Sequence, residues 1–175
     1  MTRTVQIRPL TADAFAPFGD VIDTARGPDF AINNGMCDRY HGLGAVDVAQ
    51  GDPIISIGRG RPYHLPLTLA MVERHPLGSQ AFIPLSRNPF LVVVAPDTPD
   101  GPGIPLAFLT APGQGVNYRR NVWHGVLTPL RDVTDFLIVD RGGEGANLEE
   151  FFFPRPWIVA TDNASPALPS GARNG

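Results

Sequence analysis

Two of the four histidines in this 175-residue chain lie beside residues that extend their chemistry. His75 belongs to Glu73-Arg-His-Pro-Leu-Gly-Ser-Gln80, and His124 to Val122-Trp-His-Gly125. Alternate side chains of an extended strand share a face, so Glu73 and His75 point the same way. If the segment carrying His124 faces the same cavity, Glu73, His75, Gln80 and His124 offer a carboxylate, two imidazoles and an amide oxygen to one centre. Such nitrogen and oxygen donors suit Ni, Zn, Mn or Fe. The competing reading of either histidine is a buried, hydrogen-bonded core side chain. Gln80 is also a weaker ligand than a carboxylate, because a neutral amide compensates less of a cation's charge.

Other polar residues are candidates for holding a small ligand. Phe30-Ala-Ile-Asn-Asn-Gly-Met36 places Asn33 in a loop able to aim donors and acceptors, although an ordinary Asn-Gly turn explains it equally well. Arg59-Gly-Arg61 and Tyr118-Arg-Arg120 put guanidinium groups near strand ends, where they can clamp a carboxylate. The alternative for Arg59 and Arg61 is simple surface charge, since every basic residue of this Lys-free chain is Arg. His41 and His64, each beside a Tyr, read as loop or strand-edge residues, and Cys37 as a lone core or loop thiol.

Several functions are excluded at this level. Without Lys there is no Schiff-base chemistry, and a net charge of -3 gives no electrostatic reason to bind nucleic acid. Gly142-Gly-Glu-Gly145 lacks the spacing of a dinucleotide fingerprint, and there is neither a phosphate loop nor a G-x-S-x-G elbow. No organic cofactor is expected. The longest apolar run is of strand length, too short to span a membrane. One cysteine cannot form an internal disulfide, and the polar start Met1-Thr2-Arg3-Thr4 is unlike a signal peptide, so a cytoplasmic protein is expected.

The elements that must position these residues are short. Nineteen Gly and 19 Pro punctuate the chain and leave little room for long helices. Thr11-Ala-Asp-Ala-Phe-Ala-Pro-Phe reads as a turn or two of helix capped by Thr11 and limited by Pro17. Strands are predicted at 54–58, 67–73, 81–85, 90–95, 115–118, 122–127 and 135–140, with Leu67, Leu69, Met71 and Glu73 on one face. Residues 95–105 read as a surface loop leading into Leu106-Ala-Phe-Leu109. These strands, without helical crossovers, predict a sandwich or barrel. The length suits one domain over residues 1–161, followed by a disordered tail over 162–175 that has little to bury.

Several blocks together resemble the ureidoglycolate lyase family, formerly called ureidoglycolate hydrolase. They are Ala14-Phe-Ala-Pro-Phe-Gly-Asp20, Ile32-Asn-Asn-Gly35, Glu73 to Leu85, Pro89 to Pro96, Gln114-Gly-Val-Asn-Tyr118, Val122-Trp-His124 and Phe136-Leu-Ile-Val-Asp-Arg141. The resemblance implies an all-β, mainly antiparallel, cupin-like double-stranded β-helix (jelly-roll) barrel with short peripheral helices. It implies cleavage of (S)-ureidoglycolate to glyoxylate and urea in allantoin breakdown. The cupin ligand pattern falls on Glu73, His75, Gln80 and His124, with Glu73 where the first His of that pattern stands and Gln80 where its Glu stands. Ni2+ or another divalent metal is the implied cofactor, and a homodimer the implied assembly. In that setting His75 and His124 orient the hydroxyl end and Glu73 assists proton transfer, while Arg59 or Arg61 grips the carboxylate. Asn33 and Gln80 suit the urea moiety, with Tyr118 as a further donor. The alternatives are a non-catalytic cupin that binds a small carboxylate and a hydrolase that releases ammonia.

Overall fold

The run Phe90–Ala95 organises the protein, because its six apolar residues are buried on both faces. Alternation sends Leu91, Val93 and Ala95 into one core and Phe90, Val92 and Val94 into another. A strand with water on neither side must lie between two packed layers.

The computed structural model describes residues 3–161. The expected tail over 162–175 lies outside the described residues. One sheet has seven strands in the order Leu106–Leu109, Thr4–Pro9, Glu149–Ala160, Leu67–Arg74, Trp123–His124, Phe90–Ala95 and Thr128–Pro129. Leu106–Leu109 also pairs with Phe90–Ala95, which closes six of these strands into a barrel. Only Thr4–Pro9 runs parallel to its neighbours. The second sheet has five antiparallel strands in the order Gly19–Ile22, Gly115–Tyr118, Gln80–Pro84, Thr134–Gly142 and Asp52–Gly60. This is the cupin-like, mainly antiparallel β-fold that the resemblance implied.

All six barrel strands contribute to the first core, including Val5, Val72, Leu91, Ala107, Trp123 and Trp157. The second core lies between the barrel and the five-stranded sheet, where Phe90, Val94 and Phe108 meet Phe82, Val116, Tyr118 and Phe136. Each large apolar side chain buried in this way contributes roughly 1.5–3 kcal/mol. The helix Ala12–Phe15 plugs the second core with Phe15, and the Thr11 hydroxyl caps it by accepting the Ala14 N–H at 3.3 Å. Among the described residues, no helix is long and apolar enough to cross a membrane.

Three local expectations are corrected, the first because of a strand that sequence reasoning did not identify. Glu149–Ala160 is a 12-residue strand despite Pro154 and Pro156, because its register against Leu67–Arg74 shifts between Phe152 and Trp157 and takes the prolines out of regular pairing. Opposite that shift the alternation of Leu67–Arg74 changes phase: Leu69 and Val72, three apart, both enter the barrel core. Glu73 therefore does not continue the apolar row but stands on the opposite side, across from His124. The strand expected at 122–127 is only Trp123–His124, and the loop 95–105 contains a small ladder between Asp97–Thr98 and Gly101–Pro102.

Candidate active site

The same phase change builds the site. Glu73 and His124 are cross-strand partners on the barrel, and His75 follows just past the strand end. Facing them is an inward row on the five-stranded sheet. Tyr118 pairs with Gln80, and the register Val139↔Ala81 carried one step further sets Asp140 beside Gln80. The Tyr118 ring stacks on the His124 ring at 4.3 Å and 6°, which joins the two walls. The His75 and His124 rings lie 5.2 Å apart.

Hydrogen bonds fix how the imidazoles present themselves. His75 Nδ1 meets the Asn147 carbonyl oxygen at 2.6 Å, and His124 Nδ1 meets that of Gly125 at 3.0 Å. A carbonyl only accepts, so each Nδ1 donates, and a ring in its neutral form carries its lone pair on Nε2. Burial lowers the His124 pKa to about 4, so this ring is neutral near pH 7. Burial raises the Glu73 carboxyl, while nearby His75, whose Nε2 is 4.0 Å from Glu73 Oε1, pulls it back. Burial, reinforced by the Glu73 charge, pushes the Tyr118 phenol upward and keeps it a protonated donor.

Four buried acceptor atoms here meet no donor: His75 Nε2, His124 Nε2, Gln80 Oε1 and Asp140 Oδ1. An unsatisfied buried polar atom costs about 1–3 kcal/mol, so such a concentration marks a place built for something that supplies donors or positive charge. Glu73, His75 and His124 each offer a ligand atom, and these atoms lie within 4.8 Å of one another. The donor set therefore fits a divalent cation. Glu73 and His75 keep 22% and 15% of their side chains exposed, which leaves the site open from that side.

A family model described as ureidoglycolate lyase matches residues 2–160. The chain belongs to the ureidoglycolate lyase family. It is 63% identical over 159 residues to a ureidoglycolate lyase of Chelativorans sp. (strain BNC1), covering 90% of this chain and 96% of the relative. It is 62% identical over 161 residues to one of Mesorhizobium japonicum, covering 91% and 98%. Its identity to one of Pseudomonas aeruginosa strain PAO1 is 56% over 155 residues, covering 86% and 91%.

Of the residues expected at the site of this lyase-family chain, the structure brings together Glu73, His75, Gln80, Tyr118 and His124. Arg59 and Arg61 are not among them. Arg59 is an exposed neighbour of the outward-facing Asp135, which it binds through two nitrogens at 2.7 and 2.9 Å. Arg61 lines an open cleft with Tyr63, Val126 and Leu127. Asn33 is exposed, with φ 54°, in the turn between Phe30–Ile32 and Cys37–Arg39, a hairpin that pairs with neither large sheet. Cys37 is exposed on that hairpin rather than in a core, and His41 and His64 are exposed as well.

Sequence reasoning missed Asp140 and Asn147. Asp140 was legible in principle, because Phe136, Ile138 and Asp140 share the inward phase of one strand. Asn147 was not legible: its carbonyl holds His75 and its side-chain oxygen accepts the Leu77 N–H at 2.8 Å, a clamp made by a loop with no pattern of its own.

Proposed function

We propose that this chain is a ureidoglycolate lyase, cleaving (S)-ureidoglycolate to glyoxylate and urea. The observation that supports this most is the concentration of unpartnered acceptors beside a half-buried carboxyl, in a member of the ureidoglycolate lyase family. The substrate is a carbinolamine, and its cleavage moves one proton. The hydroxyl O–H is broken as the carbonyl forms, the C–N bond breaks, and the departing nitrogen gains a proton. Glu73 can perform both transfers, since a carboxyl raised by burial takes the hydroxyl proton and returns it to the urea nitrogen. Nε2 of the neutral His124 ring holds the hydroxyl end by accepting from it, the His75 ring flanks it, and the Tyr118 phenol donates toward oxygen.

Glu73, His75 and His124 would hold a divalent metal. Such a metal supplies Lewis-acid polarisation of the hydroxyl or adjoining carboxylate oxygen. Nickel is the ion the family resemblance implies.

The assembly and setting belong to the same reading. Asp52–Gly60 is a nine-residue edge strand with Ile54, Ile55 and Ile57 exposed, which supports pairing with a second copy as a homodimer. The exposed Cys37 thiol suits a reducing, cytoplasmic setting.

Incubation of the purified protein with (S)-ureidoglycolate tests the reaction. Equal release of urea and glyoxylate without ammonia is expected. Ammonia in place of urea establishes a hydrolase instead, and saturable binding without any product establishes a binding protein.

A further inference from the structure

Among the described residues, Asp140 is the one acidic group of the inner layer that the proposed proton transfer leaves unused. Its Oδ2 accepts from Gln80 Nε2 at 3.4 Å, while its Oδ1 is buried without a donor. Among the described residues no ion pair includes Asp140. Neighbouring Arg141 does not supply one, since its guanidinium is engaged by the carbonyl oxygens of Gln50, Gly143, Glu144 and Gly145. The bond to Asp140 also leaves Gln80 Oε1 without a donor. The five-stranded sheet thus presents two adjacent acceptors, one of them on a carboxylate, to the wall that carries His124.

Two adjacent acceptors select a ligand by charge and by donor count. The urea half of ureidoglycolate carries three N–H donors, whereas the glyoxylate half ends in a carboxylate that only accepts and that Asp140 repels. We infer that Asp140, together with Gln80, is the acceptor pair that receives the urea N–H groups, so that it fixes which end of the substrate faces the five-stranded sheet. This rests on the lyase reading above and adds a substrate-binding residue to it. Gln80 Oε1 and Asp140 Oδ1 take N–H bonds from the urea end, which leaves the carbinol carbon toward Glu73, His75 and His124.

The test is direct binding, which does not depend on turnover. Full-length 15N-labelled wild type, Asp140→Ala and Asp140→Asn, at matched metal content, are titrated separately with urea and with glyoxylate and followed by NMR. A charged acceptor is worth enough that Asp140→Ala should weaken urea binding about tenfold while glyoxylate stays within about twofold. Asp140→Asn, nearly the same shape, should weaken urea binding by about threefold and provides the reading if the alanine variant does not fold. The inference is overturned if wild type binds no urea, if urea binding is unchanged in the variants, or if both ligands weaken in parallel, as loss of packing would produce. A wild type that binds urea with this dependence but makes none from ureidoglycolate removes the lyase reading and leaves Asp140 as a urea acceptor.

Discussion

The two interiors on either side of Phe90–Ala95 use one strand for opposite purposes. The barrel core, reached by Leu91, Val93 and Ala95, is lined by Val, Leu, Trp and Phe side chains, and among the described residues its one unpartnered buried polar atom is Trp157 Nε1. The layer reached by Phe90, Val92 and Val94 begins as aromatic packing, with Phe90 and Phe136 edge to face at 5.1 Å, and ends in a carboxyl, two imidazoles, an amide and a second carboxyl. A closed barrel has no open edge through which a ligand can enter between its strands. The gap between two sheets stays open at its end, and there unsatisfied acceptors are tolerated because dense packing elsewhere offsets them.

Removing a group from the polar end should change chemistry, and removing one from the barrel should change stability. The largest effect is expected for His124→Ala, where loss of a positioned imidazole should lower kcat/KM for ureidoglycolate by about a thousandfold with the circular dichroism of the fold intact. A loss within about twofold would remove His124 from the chemistry and with it the distinction between the two interiors. Leu91→Ala, on the other face of the strand next to His124, should instead destabilise the protein by about 2–5 kcal/mol in denaturant while kcat of the folded fraction stays near wild type. A collapse of kcat without loss of stability would show that the barrel core also tunes the site.

These two residues also show what the sequence could and could not disclose. The apolar run containing Leu91 reads as a strand from composition alone. That both its faces are buried follows from six consecutive apolar residues, and so does the existence of two layers. His124 was legible as a candidate through its neighbours, and meeting Glu73 required only that the two segments pair. What could not be read was the phase change between Leu69 and Val72. It arises from the shifted register of Glu149–Ala160, a strand disguised by Pro154 and Pro156. Local pattern placed Glu73 on the apolar row, whereas a non-local irregularity puts it in the site. The Asn147 clamp on His75 and the outward turn of Arg59 are likewise products of long-range packing.

A smaller effect concerns pH in the metal-free protein. The His124 pKa is about 4 when folded, below its ordinary 6.5, so the unfolded chain takes the proton first. Its contribution is complete above about pH 6.5 and is lost as pH falls toward about 4, by at most about 1.4 kcal/mol per pH unit. Glu73 runs the other way: a carboxyl raised by burial favours the folded state below its unfolded pKa and loses that contribution as pH rises through the folded one. Denaturant unfolding of chelated wild type and His124→Gln between pH 4 and 7 should therefore give a steeper acid loss in wild type. Parallel curves would mean that the ring is not held neutral by burial.

The smallest effect is expected on the outer face of the five-stranded sheet. Arg59 and Asp135 stand opposite each other there, exposed, while Phe136 on the next position points into the aromatic layer. An exposed ion pair is screened by solvent and contributes little. Arg59→Ala should therefore leave kcat and KM for ureidoglycolate within about twofold at both low and moderate ionic strength. A KM raised tenfold or more, with kcat unchanged and the fold intact, would mean that this guanidinium leaves Asp135 to grip the substrate carboxylate. In that event the division between an outer face that only solvates and an inner face that binds would fail for this sheet.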